Sequence, residues 1–525
     1  MIGTIFWQTV RLIAYFLGCL LIYFLYKVVY MPIKFRYTYS KYKNVFVSPK
    51  FIPVLGDIYY YLDDMQNNKV FYDHMKRQQR SFKPNEIDLR ADLIGTDPMI
   101  GVVSHKALKE VISQIPGKID RADIDNTPCL RRALLKMCEG CFVNSPSTKK
   151  TIERRKSLTK ILGLNHSSKN IPLMLKNADI ILQDMKKKGE AKMLDQMALL
   201  TNRILVSVLF GRDYEEHMSE SYEYLYKDGT TKKFDLCSFF SNLSVGMSDE
   251  AGNLFTILFP LLNVSNIINP WKRNHTNKLA LYSALKDIVK KSQDEDSFWN
   301  QIRKLNEFTE DEILVDLMLL LSAGSETTAD NFVALLYYLK KFPETKEKLM
   351  KELAQVGIVP GCDFNKVITM ENIQACDYLS NAVKESLRMD SPLNFTIFYQ
   401  AYKDTEVCGV SIPKGTILKQ EIAGPNNDDK DWLDPNTFEP ERHNTESEFF
   451  KTSKEQGKIQ NVFSRRTFGH GPRMCPGMSF ATLEMKVFAA FFLTQMDYEV
   501  SKEDLENDHI GFGIGSQFSP KFKIS

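Results

Sequence analysis

The length, composition and charge of the chain limit what kind of protein it can be. Its 525 residues, 43% of them hydrophobic, are enough to bury a large core, and no long Gly/Ser/Pro-rich linker divides them. A net charge of +3 is too balanced to indicate nucleic-acid binding. Neither a Gly-x-x-x-x-Gly-Lys-Ser/Thr loop nor a Gly-x-Gly-x-x-Gly fingerprint occurs, so a nucleotide-binding domain is not predicted.

A long apolar stretch near the N-terminus predicts a membrane anchor. Leu12–Tyr26 carries no charge, and the stretch extends to Tyr30 if the ammonium of Lys27 reaches the membrane surface, which approaches the ~20 residues of a spanning helix. Basic residues follow before the first acid at Asp57, and such residues stay on the cytosolic side. We therefore predict one anchor helix over 1–30 with the rest of the chain cytosolic. A mitochondrial presequence, which would be amphipathic, is the alternative.

Residues 31–56 predict a connector, and the remainder predicts one large domain. The connector begins with basic residues and ends with Pro49, Pro53 and Gly56. These residue types disfavour a helix and stiffen the chain. We expect a hinge over 31–56 and a single large domain over 57–525.

The nine cysteines do not suggest a metal site. Cys138 and Cys141 form the single close pair, and zinc would need two further ligands that no second Cys or His pair supplies. We predict two small core residues here, and reduced thiols throughout, as expected on the cytosolic side of a membrane.

A helix of about thirty residues is predicted from Thr309 to Lys341. Thr309 and Glu312 have capping-box spacing, apolar residues then recur at helical intervals, and Pro343 ends the helix. At 1.5 Å per residue the helix spans ~45 Å, so it must cross a domain core.

The middle of this helix departs from its apolar pattern at Ala323-Gly-Ser-Glu-Thr-Thr328. Glycine and threonine are poor helix formers, and apolar helices seldom bury a glutamate. We expect the helix to loosen here and to open a groove in which hydroxyl groups hold water or a ligand. The alternative is an amphipathic helix with a polar dent.

Two later segments carry charges that could pair. Glu385 and Arg388 lie at i, i+3 in a helix predicted over Tyr378–Met389, although such a pair alone is most often a solvated surface pair. Arg442 and His443 follow in the segment Pro-Glu-Arg-His.

A glycine-rich loop near the end of the chain presents one cysteine. It runs Phe468-Gly-His-Gly-Pro-Arg-Met-Cys475-Pro-Gly477 and precedes Met478–Leu493, whose apolar spacing suits a helix. Cys475 would then lie at a helix N-terminus, where unpaired N–H groups and the helix dipole favour a thiolate. The glycines allow the backbone to turn sharply and lie against a flat ring system. A turn with a buried free cysteine is the alternative.

This loop resembles the Phe-x-x-Gly-x-Arg-x-Cys-x-Gly loop of the cytochrome P450 family. The segment 323–328 is similar to the family's Ala/Gly-Gly-x-Asp/Glu-Thr-Thr segment, and Glu385 and Arg388 stand between the two in the family's order. The resemblance runs from about residue 45 to the end and is most specific over 309–493. It implies the mainly α-helical cytochrome P450 fold, with a small β-rich lobe near the N-terminus.

The resemblance also implies an enzyme, a haem-thiolate monooxygenase that inserts one atom of O2 into a hydrophobic organic substrate. Its cofactor would be haem b with an axial cysteine thiolate. No flavin or nicotinamide motif is present, so electrons would come from NADPH through a separate NADPH–cytochrome P450 reductase. The anchor would be single-pass in the endoplasmic reticulum membrane. A haem-thiolate isomerase, dehydratase or peroxygenase and a non-catalytic haem carrier or sensor are the alternatives.

The resemblance assigns roles to individual residues. Cys475 would bind the iron, Thr327 would hydrogen-bond dioxygen, and Glu326 would relay protons. Arg473 would pair with a haem propionate, and Phe468 would shield the sulfur from water. The other cofactor-binding positions that it implies are Ala323, Gly324, Gly469, Gly471 and Gly477.

The chain departs from the family where haem propionates are often bound. No basic residue lies between Arg388 and Lys403, where many members have one. The residues in that place are Thr396, Tyr399 and Gln400. Upstream, Arg155 is the candidate for the arginine of the family's Trp-x-x-x-Arg helix, with Thr151 in the place of Trp. The same basic helix could dock an acidic electron donor.

The resemblance further predicts a structural charge network and a substrate pocket. Arg442 would complete a network with Glu385 and Arg388, with His443 where the family has Phe. Pro392–Phe398 would line the pocket, with apolar walls formed by Phe395, Ile397 and Phe398. The segment from Tyr214 to about Tyr282 is similar to the family's variable roof, and its apolar stretch 255–268 suits either a substrate entrance or ordinary core.

Overall fold

Helices dominate the computed structural model, which describes residues 2–49, 52–57, 87–122, 140–214, 222–251, 272–458, 461–506 and 520–524. In chain order the helices are α1 (Ile2–Leu25), α2 (Met31–Tyr39), α3 (His105–Ser113), α4 (Lys149–Ile161), α5 (Leu164–Ser167), α6 (Ile171–Lys188), α7 (Met193–Phe210), α8 (Leu236–Ala251), α9 (Lys272–Lys291), α10 (Phe298–Arg303), α11 (Glu310–Lys341), α12 (Pro343–Gln355), α13 (Phe364–Val367), α14 (Met370–Ala375), α15 (Asp377–Met389), α16 (Ala423–Asn426), α17 (Glu448–Glu455), α18 (Met478–Gln495) and α19 (Lys502–Glu506). The strands are β1 (Val45–Val47), β2 (Leu89–Ile94), β3 (Asp97–Val102), β4 (Ile119–Arg121), β5 (Glu190–Lys192), β6 (Tyr222–Leu225), β7 (Thr231–Phe234), β8 (Tyr399–Ala401), β9 (Thr405–Val407), β10 (Val410–Ile412), β11 (Ile417–Gln420), β12 (Tyr498–Val500) and β13 (Lys521–Ile524). The predicted fold class, mainly helical with small sheets, is confirmed.

The N-terminal helix is longer than the predicted anchor. α1 passes through a π-helical turn over Tyr26–Tyr30 directly into α2, so the helix extends to Tyr39 and occupies the first part of the predicted hinge. Pro32 stands in the first turn of α2, a position where its missing N–H can be tolerated. The rings of Phe35 and Tyr39 pack against the β-lobe, and this tertiary contact extends the helix beyond the apolar stretch.

Two helices in the described parts of the chain are long and apolar enough to cross a membrane. One is the N-terminal helix over Ile5–Tyr39, and only 6% of its most apolar stretch is buried. The other is α7, and 67% of it is buried. Burial assigns α7 to the protein core, whereas the N-terminal helix keeps its apolar surface exposed, as a membrane anchor does.

The β-rich lobe is built from both ends of the chain. Its six-stranded sheet has the strand order β1-β2-β3-β11-β8-β4. β2 and β3 pair antiparallel, with Leu89 opposite Val102, whereas β11 joins β3 in parallel, with Leu418 opposite Ile100. The lobe predicted near the N-terminus therefore needs two strands, β8 and β11, from the C-terminal half.

One face of this sheet carries buried charges. The ammonium of Lys419 lies 2.9 Å from Asp92 Oδ2 and 3.1 Å from Glu421 Oε1, and Arg90 also pairs with Asp92. All four side chains are buried. Gly101 lies among them, since a Cβ at this position would collide with Glu421 Oε1. Buried charges of this kind are tolerated only because each meets an opposite charge.

The long helix α11 confirms the prediction from Thr309 to Lys341. Thr309 Oγ1 accepts a hydrogen bond from the N–H of Glu312, and the Glu312 carboxylate accepts one from the N–H of Thr309, which completes the capping box. The C-terminal half of α11 packs against α18, where the ring of Phe332 meets that of Phe488 edge-on at 5.5 Å. The helix thus crosses the core, as its length requires.

The expected loosening in the middle of α11 is absent. The helix stays α-helical through Ala323–Thr328. The hydroxyl of Thr327 donates to the carbonyl of Ala323 at 2.7 Å, so the helix accommodates this polar group without opening. Packing on the other sides of a mainly buried helix outweighs the low helix propensity of glycine and threonine.

A β-hairpin that was not predicted lies in the segment compared with the variable roof. Strands β6 and β7 pair antiparallel, with Tyr222 opposite Phe234, and the hairpin packs on α8 and α9. Asn277 of α9 accepts from the N–H of Leu225 at 2.9 Å and donates to its carbonyl at 3.0 Å. Residues 215–221 and 252–271, including the apolar stretch 255–268, lie outside the described residues.

Candidate functional site

Two glycines and several backbone hydrogen bonds shape the loop before α18. Gly469 and Gly471 adopt φ angles of 69° and 75°, in the left-handed region that favours glycine. The N–H of Cys475 donates to the carbonyl of Phe468 at 2.8 Å and closes the loop. At Gly471 a Cβ would also lie 2.7 Å from Cγ2 of Ile112, so glycine is needed there for space as well.

Cys475 is half-buried at the start of α18, as predicted. Burial raises the pKa of its thiol, whereas the N–H groups of Gly477 and Met478 and the guanidinium of Arg155 favour the thiolate. Gly477 has an ordinary φ of −88°, so its backbone does not require glycine. The sulfur therefore meets donors and a positive charge, but little water.

Two arginines from other elements converge on the cysteine loop, which carries a third, Arg473. Arg155 of α4 donates to the carbonyl of Met474, and Arg121 at the end of β4 donates to the carbonyl of Arg473 at 3.3 Å. Burial, together with the charges of Arg121 and Arg473, lowers the pKa of Arg155 to about 10. The surroundings of the loop are therefore strongly positive.

The guanidinium of Arg473 is bound to the chain on several sides. Its Nη2 donates to Asp120 Oδ1 at 3.0 Å, to Ser147 Oγ at 2.7 Å and to the carbonyl of Ser145 at 2.9 Å. Its Nη1 donates to the carbonyl of Phe142 at 3.2 Å. Arg473 thus holds the segment 142–147 against the cysteine loop, a role beyond the predicted pairing with a propionate.

Arg121 is a site residue that no sequence motif indicated. It is 4% exposed, its Nη1 donates to the carbonyl of Ile397 at 2.9 Å, and its guanidinium carbon lies 4.5 Å from the ring centre of Tyr399. Its Nε has no hydrogen-bond partner among the described residues. A buried donor of this kind indicates an absent acceptor. In sequence Arg121 is a lone basic residue, and only the fold brings it to the cysteine loop.

The residues in the place of the family's propionate-binding group have different contacts. Thr396 Oγ1 accepts from the N–H of Gln420 at 3.1 Å, and Gln400 is opposite Ile417 in the β8–β11 pair. Tyr399 packs against Arg121. The positive charge that this place lacks is thus supplied by another element, β4.

The middle of α11 presents one side to open space. Ala323 is exposed, and Glu326 and Thr327 are half-buried, although the residues after them are buried for several turns. Gly324 faces α7 instead, since a Cβ there would lie 3.0 Å from Cδ1 of Leu205. The small residue thus serves helix packing, and its contact with a cofactor stays a prediction. An open side on a helix that crosses the core indicates an internal chamber.

The structure brings the three residues of the predicted charge network together. Glu385 accepts two hydrogen bonds from Arg388, both at 2.9 Å, and one from Arg442 Nε at 3.0 Å. His443 Nε2 lies 2.9 Å from Glu385 Oε2, and the N–H of Glu439 donates to Glu385 Oε1 at 3.1 Å. Burial alone would raise the pKa of Glu385, but the arginines and His443 hold it well below the usual range.

The predicted pocket wall is only partly exposed. Leu393–Ile397 is half-buried, whereas Phe398 is buried and lies 5.7 Å from the ring centre of Phe395. The Phe395 ring covers the ammonium of Lys419 at 4.4 Å. Phe398 thus supports this wall from behind.

One member of the close cysteine pair lies in the core of the described structure. Cys141 is fully buried, and burial raises the pKa of its thiol to about 12. Cys138 lies outside the described residues. Within the described ranges no group of three or more His, Cys, Asp or Glu could hold a metal ion.

These residues fit a haem. Arg121 and Arg155 contact the cysteine loop, which itself carries Arg473, and the carboxylate of Asp120 pairs with Arg473. The buried Nε of Arg121 still needs an acceptor, which a propionate would provide. The half-buried thiol of Cys475 suits an iron ligand.

The comparisons with known proteins establish the family. A family model described as cytochrome P450 matches residues 61–521. The chain therefore belongs to the cytochrome P450 family of oxidoreductases, which implies a haem with cysteine thiolate ligation.

Individual relatives are similar over different shares of the chain. Thromboxane-A synthase of Sus scrofa is 31% identical over 199 residues, which cover 37% of this chain and 34% of the relative. Cytochrome P450 3A17 of Cavia porcellus is 24% identical over 420 residues, covering 74% and 78%. Melianol synthase CYP71BQ5 of Azadirachta indica is 32% identical over 215 residues, covering 40% of this chain and 40% of the relative. The chain thus spans only about a third of thromboxane-A synthase but most of the P450 3A relative.

Proposed function

We propose that this protein is a haem-thiolate monooxygenase that inserts one atom of O2 into a hydrophobic organic substrate, with haem b as its cofactor. The proposal is carried by the half-buried Cys475, which lies at the start of α18 beside two directed N–H groups and Arg155. When bound, the haem supplies the oxygen chemistry, and a thiolate ligand promotes O–O cleavage.

The cysteine loop and its arginines would hold the cofactor. Cys475 would bind the iron, and Arg121, Arg155 and Arg473 would bind the propionates. Phe468 would shield the sulfur from water. The glycines Gly469, Gly471 and Gly477 would let the loop lie against the ring.

The exposed side of α11 would handle oxygen and protons. Ala323 would leave space for the cofactor and for oxygen, since its exposed side chain is a single methyl group. The Thr327 hydroxyl, whose single proton is donated to the Ala323 carbonyl, can still accept hydrogen bonds on the chamber side, and it can donate there if it turns away from that carbonyl. The half-buried carboxyl of Glu326 would move protons from solvent to this hydroxyl.

The partners and location are part of the same proposal. Electrons would come from NADPH through a separate NADPH–cytochrome P450 reductase, and the exposed lysines of α4 are suited to an acidic donor. The N-terminal helix would anchor the protein once in the endoplasmic reticulum membrane, with the catalytic domain in the cytosol. The basic residues after the apolar stretch support this orientation.

The carbon monoxide difference spectrum of the reduced protein tests the haem assignment. We expect the red-shifted Soret band of a thiolate-ligated complex in the wild type and its loss in Cys475→Ala. Cys376→Ala is the matched control, because it removes a buried cysteine whose Sγ contacts the carbonyl of Asn372. A band that persists in Cys475→Ala, or its absence from folded wild type, would refute the proposal.

A second candidate function is a haem-thiolate isomerase, which is favoured by the partial similarity of the chain to thromboxane-A synthase. NADPH consumption with purified reductase separates the two. A monooxygenase consumes NADPH. In that case Thr327→Ala should change the fraction of the electrons from NADPH that reduces O2 to hydrogen peroxide. No reductase-dependent consumption above background, in protein with the thiolate spectrum, would favour the isomerase.

A further inference from the structure

A buried ion pair joins the basic helix α4 to the long helix α11. Arg154 Nε donates to Asp316 Oδ2 at 2.8 Å, and its Nη2 donates to Asp316 Oδ1 at 2.6 Å. The two side chains are 7% and 3% exposed. The same guanidinium donates to the carbonyls of Gly140 and Glu312, each at 3.1 Å. All three of its nitrogens are thereby used, two of them on α11.

One residue extends this pair to the cysteine loop. The N–H of Phe142 donates to Asp316 Oδ1 at 2.8 Å, and its carbonyl accepts from Arg473 Nη1 at 3.2 Å. The neighbouring Arg155 contacts the carbonyl of Met474 in the same loop. The two sides of the proposed cofactor site are thus joined through the backbone of a single residue, Phe142, and through two adjacent arginines.

Asp316 lies on the same side of α11 as Ala323 and Thr327. Ala323 and Thr327 follow it by seven and eleven residues. At 100° per residue both lie within about 20° of Asp316 around the helix, the second ~16 Å along the axis. An interaction that fixes Asp316 therefore fixes the rotation of the side that carries Ala323 and Thr327.

We propose that Arg154 and Asp316 are positioning residues for oxygen activation. They set the rotation and height of α11 relative to the cysteine loop, so that the Thr327 hydroxyl faces the reacting oxygen. The inference rests on the roles proposed above for Cys475 and Thr327. A buried ion pair adds little net stability over an apolar pair, but its fork geometry is directional, which suits a positioning role.

Reoxidation of the reduced protein by air tests the proposal without a known substrate. Protein reduced without oxygen is mixed with air-saturated buffer, and the return of the oxidised spectrum is timed by stopped flow. Asp316→Asn keeps the volume of the side chain and an acceptor for the Phe142 N–H but removes the charge. We expect it to keep the thiolate carbon monoxide band and to change the reoxidation rate by about two- to thirtyfold.

A double-mutant cycle separates positioning from a loss of stability. If Asp316 acts through Thr327, Asp316→Asn should add nothing to the change caused by Thr327→Ala, so that the double variant matches Thr327→Ala alone. The double variant Arg154→Met/Asp316→Leu should recover thermal stability but not the wild-type rate. Rescue of both properties would overturn the proposal.

Asp92→Asn is the matched control, because Asp92 is also a buried aspartate paired with basic side chains, Arg90 and Lys419. It should lower thermal stability while leaving the reoxidation rate unchanged. If Asp316→Asn behaves in the same way as Asp92→Asn, the positioning role is refuted. If the wild type lacks the thiolate band or Thr327→Ala has no effect on the rate, the proposed haem-thiolate function is wrong. That outcome differs from a failure of the positioning role alone, in which the band and the effect of Thr327→Ala are both present.

Discussion

The carboxylate of Glu385 shows how single residues set the energetics of this fold. It is fully buried, yet it stays ionised because two arginines, a histidine and a backbone N–H surround it. Removing one partner from such a network leaves buried charge unpaired and costs ~3–5 kcal/mol. His443 differs from the arginines because it need not be charged to donate a hydrogen bond.

His443→Phe should lose less stability than the wild type when the pH falls from 6.5 to 4. Burial lowers the pKa of His443 from 6.5 to about 4, although Glu385 opposes the shift. The folded protein thus holds this proton less tightly than the unfolded chain, so the stability that the group contributes above pH 6.5 is lost as the pH falls towards 4. Phenylalanine cannot take up this proton. The free energy of unfolding of the His443→Phe variant, measured with urea, should therefore vary less between pH 4 and pH 6.5.

Exposed His275 provides the control for this experiment. His275→Gln should keep the wild-type dependence on pH. Equal slopes for His443→Phe and wild type between pH 4 and 6.5 would show that His443 is not the titrating group.

Glu484→Gln should make the protein more resistant to alkaline unfolding. Glu484 is fully buried on α18, and neither carboxyl oxygen finds a hydrogen-bond partner among the described residues. Burial raises its pKa well above the usual range, so folding favours the protonated acid over the carboxylate. Its contribution to stability is complete at low pH and is lost as the pH rises through the folded pKa. Glutamine cannot ionise, so the alkaline unfolding of the Glu484→Gln variant, followed by circular dichroism, should occur at higher pH than that of the wild type.

Infrared difference spectroscopy gives an independent check on Glu484. The wild type should show the carbonyl band of a protonated carboxylic acid at neutral pH, and the glutamine variant should lack it. If the two spectra match in this region, Glu484 is ionised and the prediction fails.

At the scale of elements, long periodic helices were predicted better than short strands. The capping box at Thr309, the stop at Pro343 and the apolar spacing of α18 are local signals, and each helix lies where they indicate. The β6–β7 hairpin was not predicted, although Asp228-Gly229 between alternating residues is a hairpin signal. Its stability depends on α9, which no local pattern shows.

Asn277→Ala should open the β6–β7 hairpin without unfolding the protein. The side chain makes two buried hydrogen bonds to the backbone of Leu225, and losing them costs ~2 kcal/mol, or about thirtyfold in local opening. Hydrogen exchange followed by mass spectrometry should therefore show faster exchange over Tyr222–Phe234. Asn300→Ala, which removes another buried asparagine, should leave this segment protected.

For the whole molecule, the N-terminal helix has two roles that a truncation series can separate. The part over α1 is exposed and apolar, whereas α2 packs Phe35 and Tyr39 against the β-lobe. The proposed anchor and a structural helix are thus continuous in one element.

Deletion of residues 2–25 should release the protein from vesicles and leave its free energy of unfolding unchanged. Deletion of 2–39 should in addition lower that free energy by ~2–3 kcal/mol, because the burial of Tyr39 is lost. Vesicle sedimentation and urea unfolding measure the two effects. Equal stability of the two deletions would show that α2 contributes nothing to the fold.

The sequence by itself determined the helices, the cysteine loop and the family resemblance, because periodicity, caps and a ten-residue motif are local properties. Only the tertiary structure showed that Arg121 reaches the cysteine loop, that Gly324 serves a helix contact and that Arg154 pairs with Asp316. These contacts join elements far apart in the chain, and their side chains carry no local signal of their partners. Folding brings them together because the core is closely packed and each buried charge must meet a partner.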